Sequence, residues 1–583
     1  MKRDQTAQRL PVEPALSVSI ADQLKALTPS ARSALMRRLD RTVLPGPELV
    51  AKALHDCGVR RLSGIMGTPA DGIFAACEKR MRVLGFRHQM NAVLAASADN
   101  YASGALVHAV CVSAGPGIIN SLTGVYFARD NHLPLLFLGT RRSLEDEGRG
   151  YFQELDAVPI MAPLTKWAAT IRDPADLMPM IREGIQVAIN GQPGPVFLDL
   201  PEDVIGQAAP AVDIAKPNRQ VESVPETEVD EALKLLRSAK APLVCLGEDL
   251  RWETNLSSLL AFLEREQIPW ITLPMARGIL PEDHPLCANR TRRRLPKHCD
   301  CFMLAGGWFD WRLRYGSEIP ADAKIIHIHP DQTVLSRNIR AALEIKGQPG
   351  AFLNLLAKKE PTQLDVHSLR HRWIQMVERE MISGNSSLGD STGDSPETKT
   401  GMPPGAAYRA LANCLPDETI VTVDGNITLS YAQFAITPKR PFSWFDPGWN
   451  GLIGGSLGLA IGLKLAHPDR PVIALMSDTS FGMSGMELET CARLGIQVTV
   501  IVGNNGGHTG SQRDRQWFPA GSEPISTFGL LPYHEIGHSL GADSLPLDKI
   551  EDIPPAVTRA LSLNRPSCLN LILDPETPHP GFW

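Results

Sequence analysis

The sequence lacks the features that would assign it to several common classes. No apolar run is long enough to span a bilayer, and the polar start MKRDQTAQRLPVE does not have the pattern of a signal peptide. The 10 cysteines are scattered, and only Cys299 and Cys301 lie close together, so neither a disulfide framework nor a zinc-binding spacing is present. The net charge is −6, and we interpret the basic run RTRRRLPK at residues 290–297 as a solvated face. We therefore expect a cytoplasmic protein that binds neither membranes nor nucleic acid.

What is present is the composition of a large globular α/β protein. The chain has 583 residues, of which 43% are hydrophobic and 21% charged, with 48 Gly and 47 Pro. This length exceeds a single core and predicts about three or four domains. Strand-like and helix-like segments alternate in three blocks, which predicts parallel sheets. The predicted boundaries are 1–41 for a helical N-terminal arm, 42–210, 220–370 and 406–575 for the blocks, 380–405 for a linker and 576–583 for a tail.

The third block places polar residues after two consecutive strands. PVIALMS predicts a buried strand, GMSGMELETCARLG an amphipathic helix and VTVIVG a second buried strand. Asp478 follows the first strand, and Asn504 and Asn505 follow the second. Because a right-handed crossover makes such strands parallel, their carboxyl ends open on the same edge of the sheet, where ligands of α/β folds bind.

The chemistry of these residues suits a metal and phosphate groups. A carboxylate, an amide oxygen and a carbonyl from the glycine-rich turn are hard donors of the kind that bind Mg²⁺. Thr479, Ser480 and the helix N-terminus behind them offer hydroxyl and backbone N–H groups to phosphates. The alternative is an ordinary strand–helix turn with a capping Asp and a polar loop.

The same stretch resembles the diphosphate and metal signature of thiamine-diphosphate (ThDP) enzymes, Gly-Asp-Gly followed some 25 to 30 residues later by Asn-Asn. The resemblance makes Asp478 and Asn505 metal ligands and adds the carbonyl of Gly507. Ser477 and Thr479 stand where the family has glycines, a departure that leaves the ligating atoms in place.

Other motifs resemble the same family in the same order. PGWNGLIGGSLGLAIGLKLAHPDRPVIALMSD resembles the glycine-rich approach to the metal site, where Gly451 contacts the cofactor and Ile453 supports its bent shape. SAGPGIIN, YFQELD, TKW and GQPGPVFLDLPEDV resemble the pyrimidine-binding domain of acetolactate synthases, and MARGILPEDHPL and AKIIHIHPD resemble their central domain. FGMSGMELETCARLGIQVTVIVGNNGG resembles oxalyl-CoA decarboxylases and 2-hydroxyacyl-CoA lyases.

This resemblance implies the architecture and the cofactors. It implies pyrimidine-binding, central and diphosphate-binding domains, each a doubly wound parallel sheet, with ThDP and Mg²⁺ held by residues 477–480 among others. In the family ThDP lies between the pyrimidine domain of one subunit and the diphosphate domain of another, so a homodimer or homotetramer is implied. FAD or ADP occurs in related central domains, but no local motif here supports either.

The expected activating acid is missing. In the family a glutamate that hydrogen-bonds the aminopyrimidine ring and exchanges a proton with it precedes the SGPG motif, but here Gln89 stands at that position. If the alignment with the family is shifted by one or two residues, the glutamate position falls on Met90 or Asn91, and neither is acidic. A glutamine cannot exchange a proton at neutral pH, so acid–base help of roughly a hundredfold to ten-thousandfold is at stake. The chain is then a slower enzyme, an enzyme with a specialised reaction, or a ThDP-binding subunit without turnover.

Further candidate residues surround this site. His508 directly follows NNGG and either donates a proton to the substrate or lies in a solvated loop. Gln153 matches a family position near the active-site channel, and His88 either contacts substrate or satisfies the core. The stretch GHTGSQRDRQWFPAGSEP has the composition of a mobile loop, in which Arg513 and Arg515 meet an anionic group or remain solvated.

These observations predict a ThDP- and Mg²⁺-dependent lyase or decarboxylase acting next to a carbonyl, on a 2-oxo acid or an acyl-CoA-like substrate. The alternatives are an acetolactate-synthase-like carboligase in a natural-product pathway and a non-catalytic ThDP-binding subunit. Residues 17–40 resemble helical segments at the edges of nonribosomal peptide synthetase modules, which implies docking to such a partner. The alternative for this segment is an arm that packs on its own subunit or on a dimer partner.

Overall fold

A computed structural model describes residues 28, 42–220, 222–252, 256–391, 401–508, 518–522 and 525–577. The predicted N-terminal arm, its docking segment 17–40, the arginines Arg513 and Arg515 and the chain end from residue 578 lie outside the described residues, apart from Thr28. Among the described residues no helix combines the length and the apolar character needed to cross a membrane.

The N-terminal block forms a six-stranded parallel sheet covered by helices, with a short antiparallel ribbon at its start. The strands are β1 Val43–Pro45, β2 Arg61–Ile65, β3 Arg82–Gly85, β4 His108–Val112, β5 Leu135–Arg141, β6 Trp167–Thr170, β7 Pro195–Pro201 and β8 Ala208–Pro210. The helices are α1 Gly46–Asp56, α2 Asp71–Glu78, α3 Gln89–Ser103, α4 Pro116–Ile119, α5 Leu122–Asp130, α6 Val158–Met161, α7 Leu177–Ile189 and α8 Glu202–Ile205. The sheet order is β3-β2-β4-β5-β7-β6, and β1 pairs with β8. Its central strands are buried on both faces, as expected when helices cover a parallel sheet.

The central block is a five-stranded parallel sheet in the order β10-β9-β11-β12-β13. Its strands are β9 Pro242–Leu246, β10 Trp270–Thr272, β11 Cys301–Ala305, β12 Lys324–His329 and β13 Leu343–Lys346. Its helices are α9 Glu226–Ser238, α10 Ser257–Arg265, α11 Pro349–Ala357 and α12 Val366–Ser391.

The C-terminal block repeats the architecture with six parallel strands in the order β15-β14-β16-β17-β19-β18. The strands are β14 Ile420–Val423, β15 Trp444–Phe445, β16 Val472–Ser477, β17 Thr499–Asn504, β18 Asp543–Leu547 and β19 Ser567–Ile572. The helices are α13 Pro404–Cys414, α14 Asn426–Ala435, α15 Ser456–Ala466, α16 Asp478–Ser484, α17 Glu487–Leu494, α18 Tyr533–Ser539 and α19 Ile553–Ser562. Separate apolar cores cover the two faces of this sheet, so the predicted fold class of three parallel-sheet α/β domains is confirmed.

The N-terminal and C-terminal sheets are joined by the packing of α3 against α15. Every residue of the stretch 91–102 in α3 is buried, and the helix is rich in alanine, which lets a second helix approach closely. A Cβ added at Gly462 in α15 would lie 2.1 Å from the carbonyl oxygen of Ala95. Because both helices begin near candidate site residues, this contact fixes the relative positions of those residues.

Two local predictions differ from the structure. The helix expected from GMSGMELETCARLG starts earlier, at Asp478, because Ser477 caps it, and it is broken between α16 and α17. The linker expected from residue 380 starts later, because α12 continues to Ser391. Arg294 forms an ion pair with Glu380, and Met381 packs on the central core, so these residues belong to that block.

Candidate active site

The strand pair β16 and β17 brings the predicted metal-ligand residues to one edge of the sheet. Ser477 lies opposite Gly503 in the parallel register, so Asp478 and Asn505 follow neighbouring strand ends. The backbone N–H of Gly507 donates to Oδ2 of Asp478 at 2.7 Å. Asn505 is 7% exposed, and its side chain makes no hydrogen bond with the described residues. Its amide oxygen is therefore left for a ligand among the described residues.

Asp478 is a buried carboxylate without a neighbouring cation among the described residues. Oδ1 accepts the backbone N–H of Thr479 at 2.6 Å, but burial outweighs these hydrogen bonds and raises the pKa of Asp478 to about 6. The described residues contain no group of three or more His, Cys, Asp or Glu side chains that could hold a metal. One carboxylate, one amide and one carbonyl nevertheless fit Mg²⁺, which keeps water and phosphate oxygens in its remaining positions.

The serines predicted to contact phosphates are engaged within the protein. Oγ of Ser477 accepts the backbone N–H of Ser480 at 3.1 Å and caps α16. The hydroxyl of Ser480 donates to Asp424, whose Oδ2 accepts the N–H groups of Gly455 at 2.8 Å and Ser456 at 2.9 Å. The structure places these two side chains under the site, where they shape its backbone.

Sequence reasoning missed Asp424. It follows the buried strand β14, so the same signal that identified Asp478 could have found it. Burial raises the pKa of Asp424 to about 6, and its carboxylate connects the start of α15 with the start of α16.

A cavity of about 320 Å³ opens beside this edge. It is lined by residues of the central and C-terminal blocks, including the predicted site residues Gly451, Ile453 and His508. Gly451 has φ +67°, and a Cβ there would meet nothing within 4 Å. His508 is anchored through its backbone N–H, which donates to the carbonyl of Ser526 at 2.8 Å. His508 thus lines the same chamber as Gly451 and Ile453.

Two buried arginines of the central block also line this cavity. Arg312 pairs with Glu248 and Asp310, each at 2.6 Å, while its Nη1 is buried and has no partner among the described residues. Arg292 is 7% exposed, and burial lowers its pKa to about 10, so it remains charged at neutral pH. The prediction that the run 290–297 is a solvated face is wrong for Arg292, because a turn at Asn289–Thr291 directs it inward, where Nη1 donates to the carbonyl of Thr272.

Gln89 and Gln153 lie elsewhere, on the N-terminal block. Gln89 is 9% exposed at the start of α3, and its Oε1 accepts Nδ2 of Asn120 at 3.3 Å. Gln153 packs against the same loop, where a Cβ added at Gly115 would lie 3.2 Å from the Cβ of Gln153. The described lining of the 320 Å³ cavity includes neither residue.

A buried glutamate that sequence reasoning missed holds the start of α3. Glu487 accepts the backbone N–H groups of Arg87 and His88 and the side-chain amide of Asn91, and burial raises its pKa. His88 caps α3 by accepting the N–H of Met90 at 3.1 Å. Glu487 therefore positions Gln89 from the C-terminal block.

Three parallel-sheet domains with a buried carboxylate and a buried amide at the carboxyl edge of one sheet place the chain among α/β proteins that bind ligands at such edges. Comparison with models of known protein families assigns each of the three domains. Residues 45–160 match the N-terminal TPP binding domain of thiamine pyrophosphate enzymes, 229–356 their central domain and 424–571 their C-terminal TPP binding domain.

Individual relatives cover nearly the whole chain. The 2-hydroxyacyl-CoA lyase 2 of Bos taurus is 30% identical over 565 residues, which is 88% of this chain and 87% of the relative. The 2-hydroxyacyl-CoA lyase of Oryza sativa subsp. japonica is 27% identical over 554 residues, 91% of this chain and 95% of the relative. The acetolactate synthase large subunit IlvG of Mycobacterium tuberculosis is 28% identical over 543 residues, 91% and 96% respectively. The chain belongs to the thiamine pyrophosphate enzyme family and is a ThDP-dependent lyase or carboligase. The resemblance to this family that the sequence motifs indicate is therefore confirmed.

Proposed function

We propose that this enzyme uses ThDP and Mg²⁺ to cleave the C–C bond next to the carbonyl of a 2-oxo acid. The observation that carries the proposal is the 320 Å³ cavity that His508, Ile453 and the unpartnered Nη1 of Arg312 share beside the Asp478 edge. ThDP, when bound, supplies the nucleophilic carbon and the electron sink for such chemistry.

The chain's own residues hold and orient the cofactor in this proposal. Asp478, Asn505 and the carbonyl of Gly507 hold Mg²⁺, and the backbone around Thr479 meets the diphosphate. Ile453 and Gly451 line the cavity and would contact the cofactor there. Because Ser477 and Ser480 fix the start of α16, they position the metal ligands through the backbone.

The substrate carboxylate is assigned to the central block. Arg312 keeps its charge beside Glu248 and Asp310, and Nη1 offers a donor that a carboxylate can accept. Arg292 adds a second positive charge to the same wall. Two guanidinium groups on this wall suit the carboxylate of a 2-oxo acid. His508 then donates or accepts a proton at the reacting carbonyl.

A second copy of the chain is needed to bring Gln89 to the cofactor. Large apolar side chains are exposed in the loops that follow β2 and β5 of the N-terminal block, among them Met66 at 65% and Phe152 at 70%. Exposed methionines also flank the start of α17, with Met483 at 57% and Met486 at 54%. Such patches support a subunit contact in which the N-terminal block of one copy covers the C-terminal block of the other.

With Gln89 in place, the side chain hydrogen-bonds the cofactor without exchanging a proton. The proton that a glutamate would exchange with the cofactor must then move through water or substrate. We therefore propose slow cofactor activation in the resting enzyme.

Carboligation is the second candidate, because a relative is an acetolactate synthase and the two arginines could hold the carboxylate of a second oxo acid. The test is product analysis with ThDP and Mg²⁺ on a panel of 2-oxo acids and 2-hydroxyacyl-CoA thioesters. Release of CO₂ and free aldehyde supports the lyase, and a coupled hydroxy-oxo acid supports the carboligase. Turnover of thioesters alone contradicts the assigned substrate class, and turnover of none supports a non-catalytic subunit.

Arg312→Lys tests the carboxylate contact. Lysine keeps a cation beside Glu248 and Asp310, so the fold is retained, but it loses the forked donor. We expect KM for the oxo acid to rise about tenfold to a hundredfold. An unchanged KM would show that the carboxylate binds elsewhere.

A further inference from the structure

A second cavity, of about 490 Å³, lies at the opposite ends of the two helices that lead to the active site. The C-terminal ends of α3, at Ser103, and of α15, at Leu465, line it. Since α3 has 15 residues, this cavity lies about 22 Å from Gln89 along the helix. It is separate from the 320 Å³ chamber, with which it shares none of its described lining residues.

The lining of this cavity carries an excess of positive charge. Arg60, Arg61, Lys216 and Arg219 line it, and none of its described lining residues is acidic. This local concentration of positive charge contrasts with the net charge of −6 for the whole chain.

Part of this charge has a structural use. Nη1 of Arg61 pairs with Asp99 at 2.9 Å, and Nη2 donates to the carbonyl of Leu465 at 2.9 Å, so Arg61 caps the end of α15. The C-terminal ends of α3 and α15 each carry about half a negative charge.

Arg60 and Lys216 supply an excess of about two positive charges at the cavity. Both are exposed, and neither forms an ion pair with a described residue. The stem of Lys216 passes close to Gly58, where Cε lies 2.9 Å from the position of an added Cβ. An excess of about two charges matches one phosphate group, which carries about −1.5 to −2 at pH 7.

Part of the cavity wall is apolar. Leu106 is 4% exposed, Ile185 2% and Ile189 9%. A ligand seated here would bury an apolar body against this wall while its phosphate faces the cations. The volume of about 490 Å³ accommodates a small organic molecule.

We propose that this cavity binds a phosphate monoester with a compact apolar body, at a site distinct from the catalytic chamber. The test is calorimetric titration of the ThDP- and Mg²⁺-saturated enzyme with phenyl phosphate, compared with inorganic phosphate. We expect one site per chain and at least about fivefold tighter binding of phenyl phosphate, because its ring covers the apolar wall.

Variants locate the site. The double variant R60A/K216A should weaken phenyl phosphate binding at least about tenfold, whereas R172A/K234A, which removes two exposed cations elsewhere, should leave it unchanged. R312K alters the catalytic chamber and should also leave it unchanged. The proposal is overturned if the wild type does not bind phenyl phosphate, if R60A/K216A binds it as tightly as the wild type, or if only R312K weakens binding. None of these readouts depends on turnover, so a failed activity assay does not affect them.

Discussion

Asp478→Asn should separate the stability of the protein from its ability to hold the cofactor. Burial raises the pKa of Asp478 to about 6 from the ordinary value of 3.8. A carboxyl group with a raised pKa stabilises the fold when it is protonated, and this contribution is lost as the pH rises through about 6. Near pH 7.5 the charged carboxylate therefore costs about 3 kcal/mol relative to a solvated one.

Asparagine removes this charge but satisfies the surrounding backbone less well. Only one side-chain oxygen is left for the N–H groups of Thr479 and Gly507, which costs about 1–3 kcal/mol. Because the two effects oppose each other, the free energy of unfolding of the cofactor-free protein should change by less than about 2 kcal/mol.

Cofactor binding should respond in a different way. At a ThDP concentration of about 100 times Kd, with Mg²⁺ present, the wild type gains about 2.7 kcal/mol. If the lost charge weakens binding a hundredfold or more, the same concentration stabilises Asp478→Asn by about 0.4 kcal/mol or less. Denaturant unfolding with and without ThDP and Mg²⁺ measures both quantities, and Asp548→Asn, at an exposed position of the same block, is the control. Equal stabilisation of Asp478→Asn and the wild type would refute the assignment of Asp478 as a metal ligand.

Other perturbations test the scaffold. Ser477→Ala removes the cap of α16 and should lower the free energy of unfolding by about 1 kcal/mol in denaturant titrations; no change would mean that the cap is dispensable. Gly462→Ala forces α15 away from Ala95 and should lower the free energy of unfolding by about 1–3 kcal/mol or more. An unchanged midpoint of denaturant unfolding would contradict the close packing. Burial lowers the pKa of His327 to about 4, so the free energy of unfolding is at its full value above about pH 6.5 and falls by about 2 kcal/mol by about pH 5. His327→Gln should flatten this pH dependence of the free energy of unfolding. The same pH dependence in both proteins would exclude His327 as its source.

The strand-edge part of the site could be predicted because it depends on local order. A buried strand followed by Asp478 and a second followed by Asn505 are adjacent in the chain, and parallel pairing brings their ends together. The same logic applies to Asp424. The break between α16 and α17 was not predicted, because the apolar pattern continues across it.

The remaining part depends on contacts that are distant in the chain. Arg312 and Arg292 reach the cavity because the central block packs beside α14, and a basic run in the sequence carries no sign of such burial. Glu487 meets the backbone of Arg87 from a position 400 residues away. Gln89 lies at the start of α3 on the N-terminal block and does not line this cavity of its own chain.

The most direct test of the proposed mechanism is NMR-monitored deuterium exchange at C2 of ThDP bound to the enzyme with Mg²⁺, in the wild type and in Gln89→Glu. We predict slow exchange in the wild type and an acceleration of about a hundredfold to ten-thousandfold in Gln89→Glu, because only glutamate exchanges a proton with the cofactor. Wild-type exchange far above that of free ThDP, with no gain in Gln89→Glu, would contradict the account and show that another group activates the cofactor.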